Sequence, residues 1–229
     1  MLDIMFFTDA HFWNDEQLPI TDQVCTLIER EKPKTLIISE WFDPWKLPWP
    51  QILETKCWAR FRKMTLYRSL DCLETIVIPG NHEIPWKAEY FPHCKIMAKY
   101  QNGNLVIMHG HQFDPIWSGS GPFAGISPVA FWIADHMSWM MSPIYRMLFG
   151  RPKVSLAAKK HTEADDWTEW VGVYQLRAKT WAHKNKVELW VGHDHCQIAP
   201  DGIFADAGDL EDSMTYLAKV DGKSELRTL

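Results

Sequence analysis

Donor side chains recur along the chain in short blocks, each just past an apolar run: Asp9-Ala10-His11, Ser39-Glu40, Gly80-Asn81-His82-Glu83, His109-Gly110-His111 and Gly192-His193-Asp194-His195. Mixed oxygen and nitrogen donors with no required thiolate suit Mn²⁺, Fe and Zn²⁺. Two such ions about 3.5–4 Å apart can generate a nucleophile at neutral pH, neutralise phosphoryl oxygens and stabilise a leaving oxygen, which together hydrolyse a phosphate ester. The chain offers Asp9, His11, Glu40, Asn81, His109, His193 and His195 for that purpose. His193 and His195 flank a single residue, so on extended backbone they share a face. Any one block alone reads as an ordinary polar strand end or a turn, since Gly and Asn favour turns. Five in this order, behind runs such as Leu36-Ile37-Ile38 and Leu105-Val106-Ile107-Met108, point to one site at the ends of several strands.

The elements that must carry these blocks alternate. Residues 2–8 read as a buried strand, 20–30 as a helix through Ile20, Val24, Leu27 and Ile28, and Thr35–Ser39 as a second strand. The Pro-rich stretch 41–50 is a loop, 51–70 a helix, and Thr75–Ile78 a third strand stopped by Pro79-Gly80. Strand–helix alternation is the pattern of a parallel α/β sheet. Residues 95–99 and 104–109 read as a strand pair around Asn102-Gly103, and 214–220 with 224–228 as another around Asp221-Gly222. Further strands are expected at 187–191 and 203–207. Between Pro115 and Lys186 the pattern changes to a Gly/Pro-rich loop at 118–128, an apolar aromatic stretch at 129–149 and an amphipathic helix at 162–184. We read 115–186 as a helical insertion in one domain covering 1–229.

Bulk properties set limits. With 229 residues, 46% hydrophobic and 23% charged, the chain is long enough for one domain with a sizeable core. A formal net charge of −5 argues against a broad nucleic-acid coat, and no stable nucleic-acid partner is expected. Five cysteines without framework spacing read as free thiols in a reducing compartment. The first residues run directly into Leu2-Asp3-Ile4-Met5-Phe6-Phe7 without a basic leader, so a cytoplasmic location is expected. Asp135, His136, Pro143 and Arg146 interrupt 129–149 and disfavour a membrane span there, leaving contact with a lipid or membrane surface as the alternative to plain core. The excess of tryptophan, 13 in all, calls for a local explanation.

The block order D-x-H, G-D, G-N-H-[DE], H, G-H-x-H resembles the calcineurin-like metallophosphoesterase superfamily. The branch it looks nearest to is that of UDP-2,3-diacylglucosamine pyrophosphohydrolases, through Val106–Asp114, the insertion before the last His pair, and Ala207-Gly208-Asp209 followed by Thr215-Tyr216. The resemblance implies an α/β fold of two packed sheets flanked by helices. It implies two divalent metal ions, manganese first and iron or zinc as alternatives. Asp9, His11 and His195 would hold one ion, Asn81, His109 and His193 the other, and Glu40 would bridge them. A metal-bridging hydroxide would attack phosphorus, with His82 assisting the leaving oxygen. One departure stands out: the family has Gly-Asp where this chain has Ser39-Glu40, which makes Asp43 a second candidate for the bridge.

The expected activity is hydrolysis of a phosphodiester or pyrophosphate bond in a nucleotide or nucleotide-sugar lipid. Phosphomonoesterase, cyclic-nucleotide phosphodiesterase, nuclease and a catalytically idle metal-binding interaction module are the alternatives. His111 is expected beside the ligands rather than among them, and Arg146, Arg151 and Lys153 are candidates for a second phosphate.

Overall fold

The computed structural model describes residues 2–83, 86–114, 164–210 and 213–229. The expected loop at 118–128, the apolar stretch 129–149, Arg146, Arg151 and Lys153 lie outside the described residues. The chain divides into two compact units, Met1–His111 with Ala178–Leu229, and Gln112–Arg177.

The first unit holds two sheets. Strands β1 (Ile4–Phe7), β2 (Thr35–Ser39), β3 (Glu74–Ile78) and β4 (Lys95–Ile96) run parallel, and β9 (Thr215–Val220) and β10 (Lys223–Thr228) extend the β1 edge antiparallel, giving the order β10-β9-β1-β2-β3-β4. The second sheet has the order β5 (Tyr100–Asn102), β6 (Leu105–Ile107), β7 (Glu188–Val191), β8 (Phe204–Asp206), with β6, β7 and β8 parallel. The central strands are near-continuous apolar runs because both faces are covered. From β1, Met5 and Phe7 face a core shared with helices α1 (Leu18–Glu31) and α3 (Lys56–Leu70), while Ile4 and Phe6 face Leu105, Ile107 and Trp190 of the second sheet. That alternation welds sheet to sheet on one side and sheet to helix on the other.

Helix boundaries follow local chemistry. Helix α1 ends where Lys32 turns left-handed (φ 45°) and its N–H caps the Ile28 carbonyl, just before Pro33. The helix expected over 51–70 is two: a turn α2 (Trp49–Ile52) and α3, which restarts where the Thr55 side chain accepts from the Trp58 N–H. The expected hairpin over 95–99 and 104–109 also needs correction. Residues Lys95–Ile96 pair with β3 in the first sheet, and the partner of β6 is Tyr100–Asn102, turned at Gly103 with φ 59°. The second hairpin turns at Asp221 and Gly222, both at positive φ, as a two-residue turn requires. Helix α4 (Ala164–Asn185) covers the amphipathic stretch expected at 162–184. Among the described residues, no helix is long and apolar enough to cross a membrane.

Candidate metal centre

The donor blocks sit at the C-terminal ends of parallel strands, where open α/β sheets put their ligand sites. Asp9 and His11 follow β1, Glu40 follows β2, Asn81 and His82 follow β3, His109 and His111 follow β6, and His193 and His195 follow β7. Asp9, His11, Glu40, His193 and His195 all have positive φ, between 48° and 77°. Left-handed backbone costs a non-glycine residue roughly 1–2 kcal/mol. Its concentration here, at the turns that carry the donor side chains, marks these strand ends as a candidate site, since strain of this kind clusters at functional positions.

Two bare positions make room for the donors. A Cβ on Gly80 would run into the Glu40 carboxylate, and one on Gly192 would strike the side chains of Thr8 and Asp9. The glycines that open two of the sequence blocks are therefore spacers for neighbouring carboxylates.

The donor atoms converge. Asp9 Oδ1 lies 3.9 Å from His11 Nε2 and 3.8 Å from His195 Nε2, and the His11 and His195 rings stack at 5.4 Å. Glu40 Oε2 lies 3.6 Å from His11 Nε2 and 3.4 Å from His109 Nε2. His109 Nε2 is 3.0 Å from Asn81 Oδ1, and the His193 ring stands edge-on to His109 at 5.1 Å. His111 is adjacent, its ring 5.2 Å from that of His109 and 6.4 Å from that of His193. Among the described residues, three groups have ligand atoms close enough to surround one ion: Asp9, His11 and His195; Asp9, Glu40 and His109; and His11, Asp43 and His82. The side chain of His193 is in none of these, although its N–H holds Asp9 Oδ2 at 2.8 Å.

A divalent cation fits this set. Asp9 is fully buried, yet its Oδ1 accepts no hydrogen bond, and a buried carboxylate oxygen left so is costly unless a cation or donor meets it. Burial would raise the Asp9 carboxyl, but the His195 ring beside it and the His193 N–H that it accepts hold it far below its ordinary range. Burial and then the Asp9 charge push the Glu40 carboxyl well up. Burial pushes His11 down to about 4 and His109 well down, so both imidazoles stand neutral, the form that binds metals.

Trp45, Glu83 and Asp209 were not assigned roles from sequence, and Asp43 was read only as the rival for the bridge. Asp43, buried after β2, reaches His11 Nδ1 at 3.5 Å and His82 Nδ1 at 3.4 Å. Trp45 stacks on His82 with centroids 4.3 Å apart and planes 18° apart, which gives one tryptophan of the 41–50 loop a place outside the core. Glu83 takes the N–H groups of Trp41 and Phe42 on one oxygen, at 2.9 and 3.1 Å, and that of Gly80 on the other at 3.2 Å. Asp209 holds His195 Nδ1 at 3.0 Å. The available sequence signals were Asp43 three residues after Glu40, the acidic fourth position of the Gly80 block, and the Gly208-Asp209 pair. Cys196 forms no disulfide, and its N–H is bonded to Asp194 Oδ1.

Comparison with known proteins places this geometry. No curated protein matches the chain significantly in sequence. Among solved structures, an archaeal phosphodiesterase is 11% identical, with a TM-score of 0.46 over 99% of each chain. The E. coli phosphoesterase Yfce is 13% identical, with a TM-score of 0.43 over 95% of this chain and 88% of that one. The Pseudomonas putida nuclease MPE is 13% identical, with a TM-score of 0.35 over 47% of this chain and 54% of that one, so the chain spans about half that protein's length. The profile of the calcineurin-like phosphoesterases matches residues 2–197. Since that match takes in the donor blocks from Asp9 to His195, the chain belongs to the calcineurin-like phosphoesterase family, whose members use a dinuclear metal centre, and is a metal-dependent phosphoric ester hydrolase.

Proposed function

We propose that the chain hydrolyses a phosphodiester or pyrophosphate bond of a nucleotide or nucleotide-sugar lipid. Asp9, His11 and His195 would hold one divalent ion, Asn81, His109 and His193 the second, and Glu40 would be shared. The observation that carries this reading is Glu40 Oε2, within 3.6 Å of a donor nitrogen from each proposed set. When bound, such an ion pair activates water and neutralises phosphoryl oxygens; mixed N/O ligation admits manganese, iron and zinc, and manganese is the first choice from the family resemblance.

The chain's own side chains do the rest. Asp43 anchors His82 at Nδ1, which leaves Nε2 to pass a proton to the leaving oxygen, a role imidazole suits. Trp45 lies against the same ring and limits its rotation. His111, beside His109 and His193, is read as a substrate contact, together with Arg146, Arg151 and Lys153 for a second phosphate. In this reading residues 1–229 form one domain in which the insertion at about 115–186 supplies the lipid contact through 129–149. Val106–Asp114 and Ala207-Gly208-Asp209 support the nucleotide-sugar lipid branch by their likeness to it.

Bis(p-nitrophenyl) phosphate should be hydrolysed with Mn²⁺ and not with chelator, and UDP-sugar or acylated UDP-sugar turnover should exceed that of p-nitrophenyl phosphate and of cyclic nucleotides. His82→Ala should lose roughly 10²–10⁴-fold in rate, the range of general acid–base assistance, while two ions stay bound. No turnover with any divalent ion would leave only an idle metal-binding module. Turnover of monoesters alone would move the substrate class.

A further inference from the structure

The turn between β8 and β9 has no part in the ligand set, yet it reaches the site. Gly208-Asp209 follows β8, and the Asp209 side chain, only 3% exposed, sets Oδ2 3.0 Å from His195 Nδ1. A carboxylate cannot donate, so the proton of that contact belongs to Nδ1. Nε2 is then the lone-pair nitrogen, and it is Nε2 that faces Asp9 Oδ1 at 3.8 Å.

Asp209 is itself clamped. Its second oxygen accepts the Ser213 N–H at 2.8 Å, its own N–H donates to Ser213 Oγ at 2.9 Å, and Ser213 Oγ donates to the Asp209 carbonyl at 2.5 Å. Thr215 Oγ1 closes the turn on the Ala207 carbonyl at 2.6 Å. Gly208 has φ 71°, and a Cβ there would press on Ser213 and Thr215, so a side chain at this point would open the clamp. His195 needs an outside hold: its backbone is left-handed (φ 58°) and its side chain is 22% exposed.

We infer that Asp209, locked by Ser213, is a positioning residue that fixes the tautomer and aim of His195 toward the ion shared with Asp9 and His11. The inference rests on the reading of His195 as an ion ligand. Partners that orient a metal-binding imidazole typically change metal affinity by about 10–100-fold when removed.

The test is calorimetric titration of the metal-free chain with Mn²⁺, set beside ¹⁵N-histidine NMR of the same metal-free sample, with the His195 signal assigned by His195→Asn. Wild type should carry its His195 proton on Nδ1. Asp209→Ala should weaken one ion about 10–100-fold and leave the other in place, and should mix the His195 tautomers. Asp209→Asn, which keeps an acceptor oxygen, should recover most of that loss. Ser213→Ala, which frees the clamp but keeps the carboxylate, should fall between. A purely structural turn would instead lower the melting temperature of Asp209→Ala and Ser213→Ala while both ions kept wild-type affinity, and that result overturns the assignment. So does a wild-type His195 protonated on Nε2. If Asp209→Ala does not fold, the wild-type tautomer and the Ser213→Ala titration still decide. A wild-type chain that binds no Mn²⁺ would sink the proposed metal centre instead, and the tautomer would judge Asp209 separately.

Discussion

Glu40 shows how one methylene is absorbed. Where the family pattern has Gly-Asp, this chain has Ser39-Glu40. The Ser39 hydroxyl donates to the Ile78 carbonyl at 2.6 Å and ties the end of β2 to that of β3. The longer glutamate arm then lies against Gly80, which has no Cβ to obstruct it, and Oε1 accepts the His82 N–H at 2.6 Å. Oε2 is left toward His11 and His109. Asp43, the rival for the bridge, contacts His11 and His82 instead, and Lys46 Nζ stands 3.7 Å from it, a cation already near that carboxylate. The two roles therefore separate by substitution. Glu40→Ala should lose at least one of two bound ions by metal analysis. Asp43→Ala should keep both and lose roughly 10–100-fold in rate, as removal of an orienting partner does. Two ions held tightly by Glu40→Ala would shift the bridge to Asp43.

At the scale of elements, Glu83 latches two strand-end loops together. One carboxylate takes N–H groups from Trp41 and Phe42 after β2 and from Gly80 after β3. It is fully buried, and burial pushes its carboxyl up to about 7 even against those three donors. Glu83→Ala would strand the three buried N–H groups, at about 1–3 kcal/mol for each left unsatisfied. Urea unfolding of the metal-free protein should therefore show a loss of several kcal/mol, and His82, next in the chain, should lose its aim as well. A loss below about 0.5 kcal/mol, the level of an ordinary surface change, would mean that the loops are held by something else.

The same scale shows what could be read from the chain. Strands β1, β2 and β3 were legible because burial on both faces leaves unbroken apolar runs, and the convergence of the donor blocks because their residue types are unusual past such runs. The exchange of Lys95–Ile96 for Tyr100–Asn102 as the partner of β6 was not, because two short strands flank the same turn and only the sheet decides between them. The break before Thr55 was hidden for a similar reason: a capping threonine fits an amphipathic pattern until its side chain is seen to accept the Trp58 N–H. Asp209 and Glu83 act across 14 and 42 residues of sequence, through turns whose positive φ leaves no mark in composition.

At the scale of the whole molecule, two sheets are locked through Ile4, Phe6, Ile37, Ile76, Ile107 and Trp190, and the ends of their parallel strands carry the strain. Five donor residues hold left-handed backbone there, and Asp9, Glu40 and Asp43 are buried together. Like charges in low dielectric repel, and a divalent ion bound only by the folded chain relieves that repulsion. Binding linkage then sets the scale: one ion at a free concentration 100 times its dissociation constant stabilises the fold by about 2.7 kcal/mol. For a chain of this length each kcal/mol moves the melting temperature by roughly 2–4 °C, so stripping one such ion should lower it by roughly 5–10 °C. Far-UV circular dichroism melts of Mn²⁺-loaded and chelator-treated protein, with metal content measured on both samples, check this. The Glu40→Ala protein supplies the internal control: the buried charge falls with the loss of the carboxylate, so its chelator-induced shift should be smaller than that of wild type. Equal melting of loaded and stripped wild-type protein would mean that no ion binds the folded chain in preference to the unfolded one, which overturns the proposed centre.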